Sequence, residues 1–109
     1  MSKEAVKSAI EEAGIPAAHA EWVRGSAPKP PRAIFYIEDQ NTFYADDAFF
    51  ATAISWVVEL TQKSSDSAVE AALEQSIQEH FGPFQKDETY NTAENCLTTF
   101  YYFKEFERG

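Results

Sequence analysis

Four carboxylates crowd one short stretch of this chain. Glu38, Asp39, Asp46 and Asp47 all fall within IEDQNTFYADDAFF, residues 37–50. Paired acids can act as general acid and base, bind Ca²⁺ or Mg²⁺ through oxygen ligands, or hold two metal ions for phosphoryl chemistry. A nuclease of the last kind also needs a third fixed acid and a nearby lysine, and Glu59 and Lys63 are the candidates. The spacing matches no metal motif. An EF-hand loop wants acids at its first, third and fifth positions and glycine at its sixth, and this stretch has neither. Two blander readings compete with catalysis. The adjacent Asp46 and Asp47 suit a solvated turn that keeps other strands from pairing. They also suit the charged rim of a protein contact. Phe43, Tyr44, Phe49 and Phe50 flank the acids, and aromatic rings are enriched at the centres of interfaces. The stretch therefore reads as a contact patch made of Phe43, Tyr44, Asp46, Asp47, Phe49 and Phe50, with a carboxylate-based, metal-dependent enzyme as the alternative.

The other reactive side chains are scattered. His19 and His80 lie far apart, and the single Cys96 is near neither, so no ligand spacing for a metal emerges. His80 falls near the end of an expected helix, where a cation is favourable. Cys96 opens an apolar run and reads as a small packed thiol rather than a nucleophile. With four glycines in all and no P-loop, GxGxxG or GxSxG pattern, phosphate cradles and nucleophile elbows are not expected. No cofactor and no catalytic residue is assigned.

Charge narrows the partners. Eighteen acids against nine bases give a net charge of −9. Sequence reading of DNA or RNA needs a basic face to neutralise phosphates, and an anionic membrane would repel this chain. A negative wall past which DNA slides without sticking remains compatible. No apolar run approaches the roughly 20 residues of a membrane span. The charged opening MSKEAVKSAIEEAG lacks the apolar centre of a secretory signal, and one cysteine fits a reducing compartment.

Elements must hold these residues in place. One domain is expected from 109 residues that are 44% hydrophobic. Residues 2–13 read as a helix capped by Ser2 and stopped by Gly14 and Pro16, with Val6, Ile10 and Ala13 on one face. Alternation of Ala20, Trp22 and Arg24 suggests a short strand, followed by the GSAPKPP connector, where X-Pro bonds are open to the cis form. RAIFYIED (32–39) is apolar on both faces, as in a strand covered on both sides, and it is expected to break at Glu38–Asn41. Residues 51–62 alternate cleanly, with Thr52, Ile54, Trp56, Val58 and Leu60 on one face. These two strands should pair antiparallel with residues 40–50 as a long tip. A helix follows, opened by a capping box of Ser67 and Glu70, striped by Val69, Ala72, Leu73, Ser76, Ile77 and His80, and ended at Gly82–Pro83. Residues 84–90 and 95–106 form a second hairpin around Asn91 to Glu94. The expected fold is α+β: a mainly antiparallel sheet of about five strands flanked by two helices, with a projecting hairpin loop near residues 38–50.

The order of these pieces resembles a known family. The run PPRAIFYIEDQNTFYADDAFFATAISWVVELTQKSSDSAVEAALEQSI has a Pro-led strand, a polar turn, an aromatic-Tyr-Ala-Asp step, a strand ending in Val-Glu-Leu and an acidic helix. KDETYNTAENCLTTFYYF then supplies a closing hairpin. Together, over about residues 15–106, they are similar to tail completion or tail terminator proteins of long-tailed phages and prophages. The resemblance implies a virion structural protein with no catalytic residues. Such proteins form a ring with other copies of themselves, often a hexamer, which caps the tail-tube protein and meets the head connector protein. It places the chain in the virion tail, and in the host cytoplasm during assembly. Tyr44 to Asp47 would then lie on a hairpin that engages a neighbouring subunit or the tube. A monomeric adaptor that binds a single partner is a further alternative.

Overall fold

The computed structural model describes residues 3–22, 25, 27–44, 50–64, 66–91 and 95–108, with the backbone alone at 42–44, 50–51, 91 and 107–108. Along the chain run α1 (Lys3–Glu12), β1 (Ala17–His19), β2 (Arg32–Tyr44), β3 (Phe50–Gln62), α2 (Ser67–Phe81), β4 (Phe84–Asn91) and β5 (Cys96–Arg108). The strands make one five-stranded sheet in the order β1-β2-β3-β5-β4. Only the short β1 joins in parallel; the β2–β3, β3–β5 and β4–β5 pairs are antiparallel. The fold is α+β, as the pattern of elements implies.

Both helices pack on one face of the sheet. Val6 and Ile10 of α1 and Leu73 and Ile77 of α2 share a core with Phe35, Trp56, Val58, Leu60, Tyr101 and Phe103. Those sheet residues occupy alternate positions on neighbouring strands, linked by the pairs Phe35–Val58, Val58–Tyr101 and Trp56–Phe103. A strand's side chains alternate between faces, so this register sends one set to the helices and the other away from them. The helices are tied to each other and to the sheet by polar contacts. Ser76 Oγ donates to the Ala9 carbonyl at 2.6 Å, and His80 Nε2 meets Glu12 Oε2 at 2.9 Å. Lys86 Nζ reaches Glu70 Oε1 and Glu74 Oε2, both at 2.8 Å, and the Tyr101 hydroxyl donates to Glu74 Oε2 at 3.0 Å.

Four expectations need correction. The first strand is Ala17–His19 and not residues 20–24, because Ala20 turns into the left-handed region at φ 67° and ends it. Val23 and Arg24 lie outside the described residues, as does the proposed cap Ser2. The break at Glu38–Asn41 is a bulge: the register slips between Ile37 and Asp39, and pairing resumes to Tyr44. The cap of α2 is Asp66, whose Oδ1 accepts from the N–H groups of Ala68 and Val69. Glu70 is buried and meets Lys86, while Ala72 and His80 lie on the exposed side of the helix. Finally, among the described residues β2 is covered by helices on one face only. Ile34 and Tyr36 sit half-buried on the other. The Pro-rich connector carries a cis Pro30–Pro31 bond.

Candidate functional site

The three longest strands outrun the rest of the sheet. β1 pairs with β2 only at Ala33, Ile34 and Phe35, and β4 begins opposite Phe103. Beyond those points, β2, β3 and β5 continue together through the rungs Asp39–Ser55–Lys104 and Asn41–Ala53–Phe106. The sheet thereby tapers from five strands to three. At a strand spacing of about 4.8 Å, the arm is roughly 10 Å narrower than the base.

Local sequence explains the taper. Gly82 at φ 95° and Pro83 end α2 and feed β4 into the sheet at Phe84, so β4 starts opposite Phe103 and cannot accompany Lys104–Arg108. Ala20 ends β1 on the far side. The root of the arm is fixed by a buried contact: Trp56 Nε1 donates to Glu105 Oε1 at 3.3 Å. Phe81 stacks on Phe103 beside it, with ring centroids 4.8 Å apart. An open groove of about 1000 Å³ lies here, lined by Phe81, Phe84, Tyr102, Lys104 and Phe106.

The face turned from the helices carries a cluster of apolar side chains beside polar ones such as Ser55, Glu59 and Lys104. The registers place Ile34, Tyr36, Val57, Phe100, Tyr102 and Phe106 on it. Phe100 and Tyr102 stack at 6.4 Å with ring planes 12° apart. Tyr36 donates its hydroxyl to Glu59 at 2.5 Å. Burial, then that bond and the negative charge of Glu59, hold the Tyr36 hydroxyl above its ordinary range. Among the described residues no helix or strand covers this face, and Phe106 is 65% exposed.

The flanks of the sheet are guarded. On β2, Asp39 Oδ1 accepts from the N–H of the next residue, Gln40, at 2.9 Å, and its Oδ2 accepts from Asn41 Nδ2 at 2.9 Å. On β4, Asp87 Oδ1 accepts from the N–H of Glu88 at 2.9 Å. The free part of β2 and the edge strand β4 therefore each satisfy one of their own amide groups with the preceding aspartate, which blunts pairing with stray strands.

The residues read from sequence as a site divide three ways. Phe43 and Tyr44 lie in β2 opposite Ala51 and Phe50, on the outermost described rungs of the arm. Phe50 opens β3. Asp46, Asp47 and Phe49 lie outside the described residues. Of the proposed acid set, the described members Glu59 and Lys63 stand apart from Glu38 and Asp39. Glu59 stands four residues along β3 from Ser55, the partner of Asp39, which is about 13 Å at strand rise. Lys63 lies farther still, past the end of β3. Among the described residues no group of three or more His, Cys, Asp or Glu side chains could hold a metal ion. Sequence reasoning missed Lys104 and Phe106. Their signal was the mismatch between an eight-residue β4 and a thirteen-residue β5, which leaves the end of β5 without a hairpin partner. Compared with protein-family models and with curated proteins, the chain matches no family and no curated relative.

Proposed function

We propose that this chain is a structural subunit of a phage or prophage tail: a tail completion or terminator protein whose copies form a ring that caps the tail tube and joins tail to head. The observation that carries this reading is the tapered sheet, five strands wide under the helices and three wide along the arm. Wedges of one shape close into a ring with their narrow ends toward the axis, and a repeated heterologous contact closes when the rotation does. The half-buried aromatics Tyr36, Phe100 and Tyr102 with the exposed Phe106 supply surface for the tube or the connector, since aromatic side chains are enriched at interfaces. A net charge of −9 suits a lumen through which DNA passes without sticking. In this reading the chain has no turnover, and it resides in the virion tail after assembly in the host cytoplasm.

The test is light scattering after size exclusion, over a range of concentrations, with and without a tail-tube protein. A ring, alone or with the tube, is the expected result. Phe43→Ala with Tyr44→Ala should raise the concentration needed for assembly while the circular dichroism spectrum is unchanged. A chain that stays monomeric with the tube present refutes the ring. Heat on adding Mg²⁺, Mn²⁺ or Ca²⁺, abolished by Asp46→Asn with Asp47→Asn, would instead favour a metal-dependent enzyme.

A further inference from the structure

The arm has two outer flanks, and they differ in charge. One is β2 from Ile37 onward, carrying Glu38 and Asp39; the other is β5 from Lys104 onward. β2 is antiparallel to β3 and β3 to β5, so the two flanks run parallel to each other. They are also level: Asp39 and Lys104 share the rung through Ser55, and Asn41 and Phe106 share the rung through Ala53. A rotation that sets the narrow ends of two copies side by side keeps those rungs level. It brings the β2 flank of one copy against the β5 flank of the next, with Asp39 facing Lys104.

We propose that copies of this chain join through these flanks by parallel strand addition, with Lys104 of one copy opposite Asp39 of its neighbour. The proposal rests on the ring reading above and names the surfaces that make the ring. Charge complementarity carries it, because the exposed Lys104 is level with the exposed Asp39, and the exposed Glu38 stands next to it at the bulge. The guard on β2 gives it selectivity. The Gln40 N–H is held by Asp39 at 2.9 Å, so an uncharged strand finds that donor occupied. A lysine arriving in register draws the carboxylate away and frees the N–H for the incoming backbone. The β4 edge has its own guard in Asp87, and its lysine, Lys86, is engaged with Glu70 and Glu74. The β5 flank is thus the described edge that presents a cation on an exposed rung beside an exposed aromatic, Phe106. A contact of a few rungs is small, so it is weak singly and gains strength when ring closure gives each copy two.

Charge reversal tests it. Lys104→Asp and Asp39→Lys should each raise the midpoint concentration of self-association at least tenfold, measured by sedimentation velocity. Carried on one chain, the two changes should restore association to within threefold of the starting protein. A one-to-one mixture of the two single variants should also assemble, because each then offers the other a matched flank; a fold defect could not be cured by mixing. Urea midpoints equal to that of the starting protein confirm that folding is intact. If Lys104→Asp still forms the ring, or if neither the double variant nor the mixture is rescued, this contact is wrong while the ring reading stands. If the unaltered protein forms no ring even with the tube, the ring reading fails and takes this contact with it.

Discussion

Replacing Trp56 by Phe removes a buried polar clamp at the root of the arm. Trp56 is 1% exposed and its indole N–H donates to Glu105, itself only 7% exposed. The second carboxylate oxygen of Glu105 is buried with no hydrogen-bond partner among the described residues. A hydrogen bond to a charged group is worth about 1.5–3 kcal/mol, and its loss leaves a buried charge with less compensation. The smaller ring adds a packing loss of about 1 kcal/mol. Trp56→Phe should therefore destabilise by about 3 kcal/mol, a large part of the roughly 5–15 kcal/mol of a typical domain. With a urea m-value of about 1.5 kcal/mol/M, the midpoint should fall by about 2 M at unchanged m. Glu105→Leu alone should cost less, because the orphaned donor is neutral. The double variant Trp56→Phe with Glu105→Leu leaves neither group unpaired, so its cost should fall short of the sum by about 1.5 kcal/mol. The measurement is a double-mutant cycle in urea followed by circular dichroism. Additivity to within about 0.4 kcal/mol would show that the contact contributes nothing, and that the root of the arm is held by ring packing alone.

Two further outcomes follow from other side-chain contacts. Asp66→Ala should cost about 1 kcal/mol by thermal unfolding, whereas Ser67→Ala should be near neutral, because Asp66 accepts from Ala68 and Val69; equal losses would return the cap to Ser67. Stability should also fall as pH rises past about 10. Tyr101, through burial and its bond to Glu74, Tyr36, through burial and Glu59, and Lys86, through its bonds to Glu70 and Glu74, are all held above their ordinary ranges. The unfolded chain then releases protons that the fold retains, so the slope of unfolding free energy with pH is negative, by up to about 1.4 kcal/mol per unit for each retained proton. Below the unfolded pKa values these groups are protonated in both states and their contribution is constant. Urea midpoints that are flat from pH 8 to 11 would contradict this.

Local chemistry made most of the elements legible. The α2 helix is announced by its polar start and Gly82–Pro83 stop, and β3 by the alternation of Ile54, Trp56, Val58 and Leu60. What stayed hidden depended on distant partners. Ala17–His19 has little strand character of its own and becomes a strand by pairing with Ala33–Phe35. The Glu38–Asn41 stretch looks like a turn, yet β3 holds it in the sheet by offering Ser55, Ile54 and Ala53 as partners across a bulge. Ser64, Asp66 and Ser67 are all competent caps, so composition could not choose among them. The second apolar face of β2 was visible as Ile34 and Tyr36, but a sequence cannot say whether such a face is covered from within the chain or left for a partner. The candidate site was partly legible for the same reason: the antiparallel pairing of β2 with β3 was foreseen, but Phe43 and Tyr44 were expected in a loop and lie in β2, and the flank of Lys104 exists only because β4 starts late.

In the proposed ring, stability and assembly draw on different halves of this sheet. The helix-covered half holds Phe35, Trp56, Val58, Leu60, Tyr101 and Phe103 in one core with both helices, and burying large side chains of this kind is what offsets the entropy of folding. The arm beyond Phe103 has no helix over it among the described residues and is held by its own ladder and by Trp56 with Glu105. An exposed three-stranded extension with bare flanks would tend to recruit any passing strand. The chain answers with acid on the β2 flank and leaves the cation on the β5 flank. Two β2 flanks repel each other, and two β5 flanks repel each other at Lys104, so the electrostatics favour the head-to-tail contact over the symmetric ones. A head-to-tail contact is the kind that builds rings. The division of charge between the flanks thus bears on the type of assembly, while the net −9 keeps each pairwise contact weak until several close together.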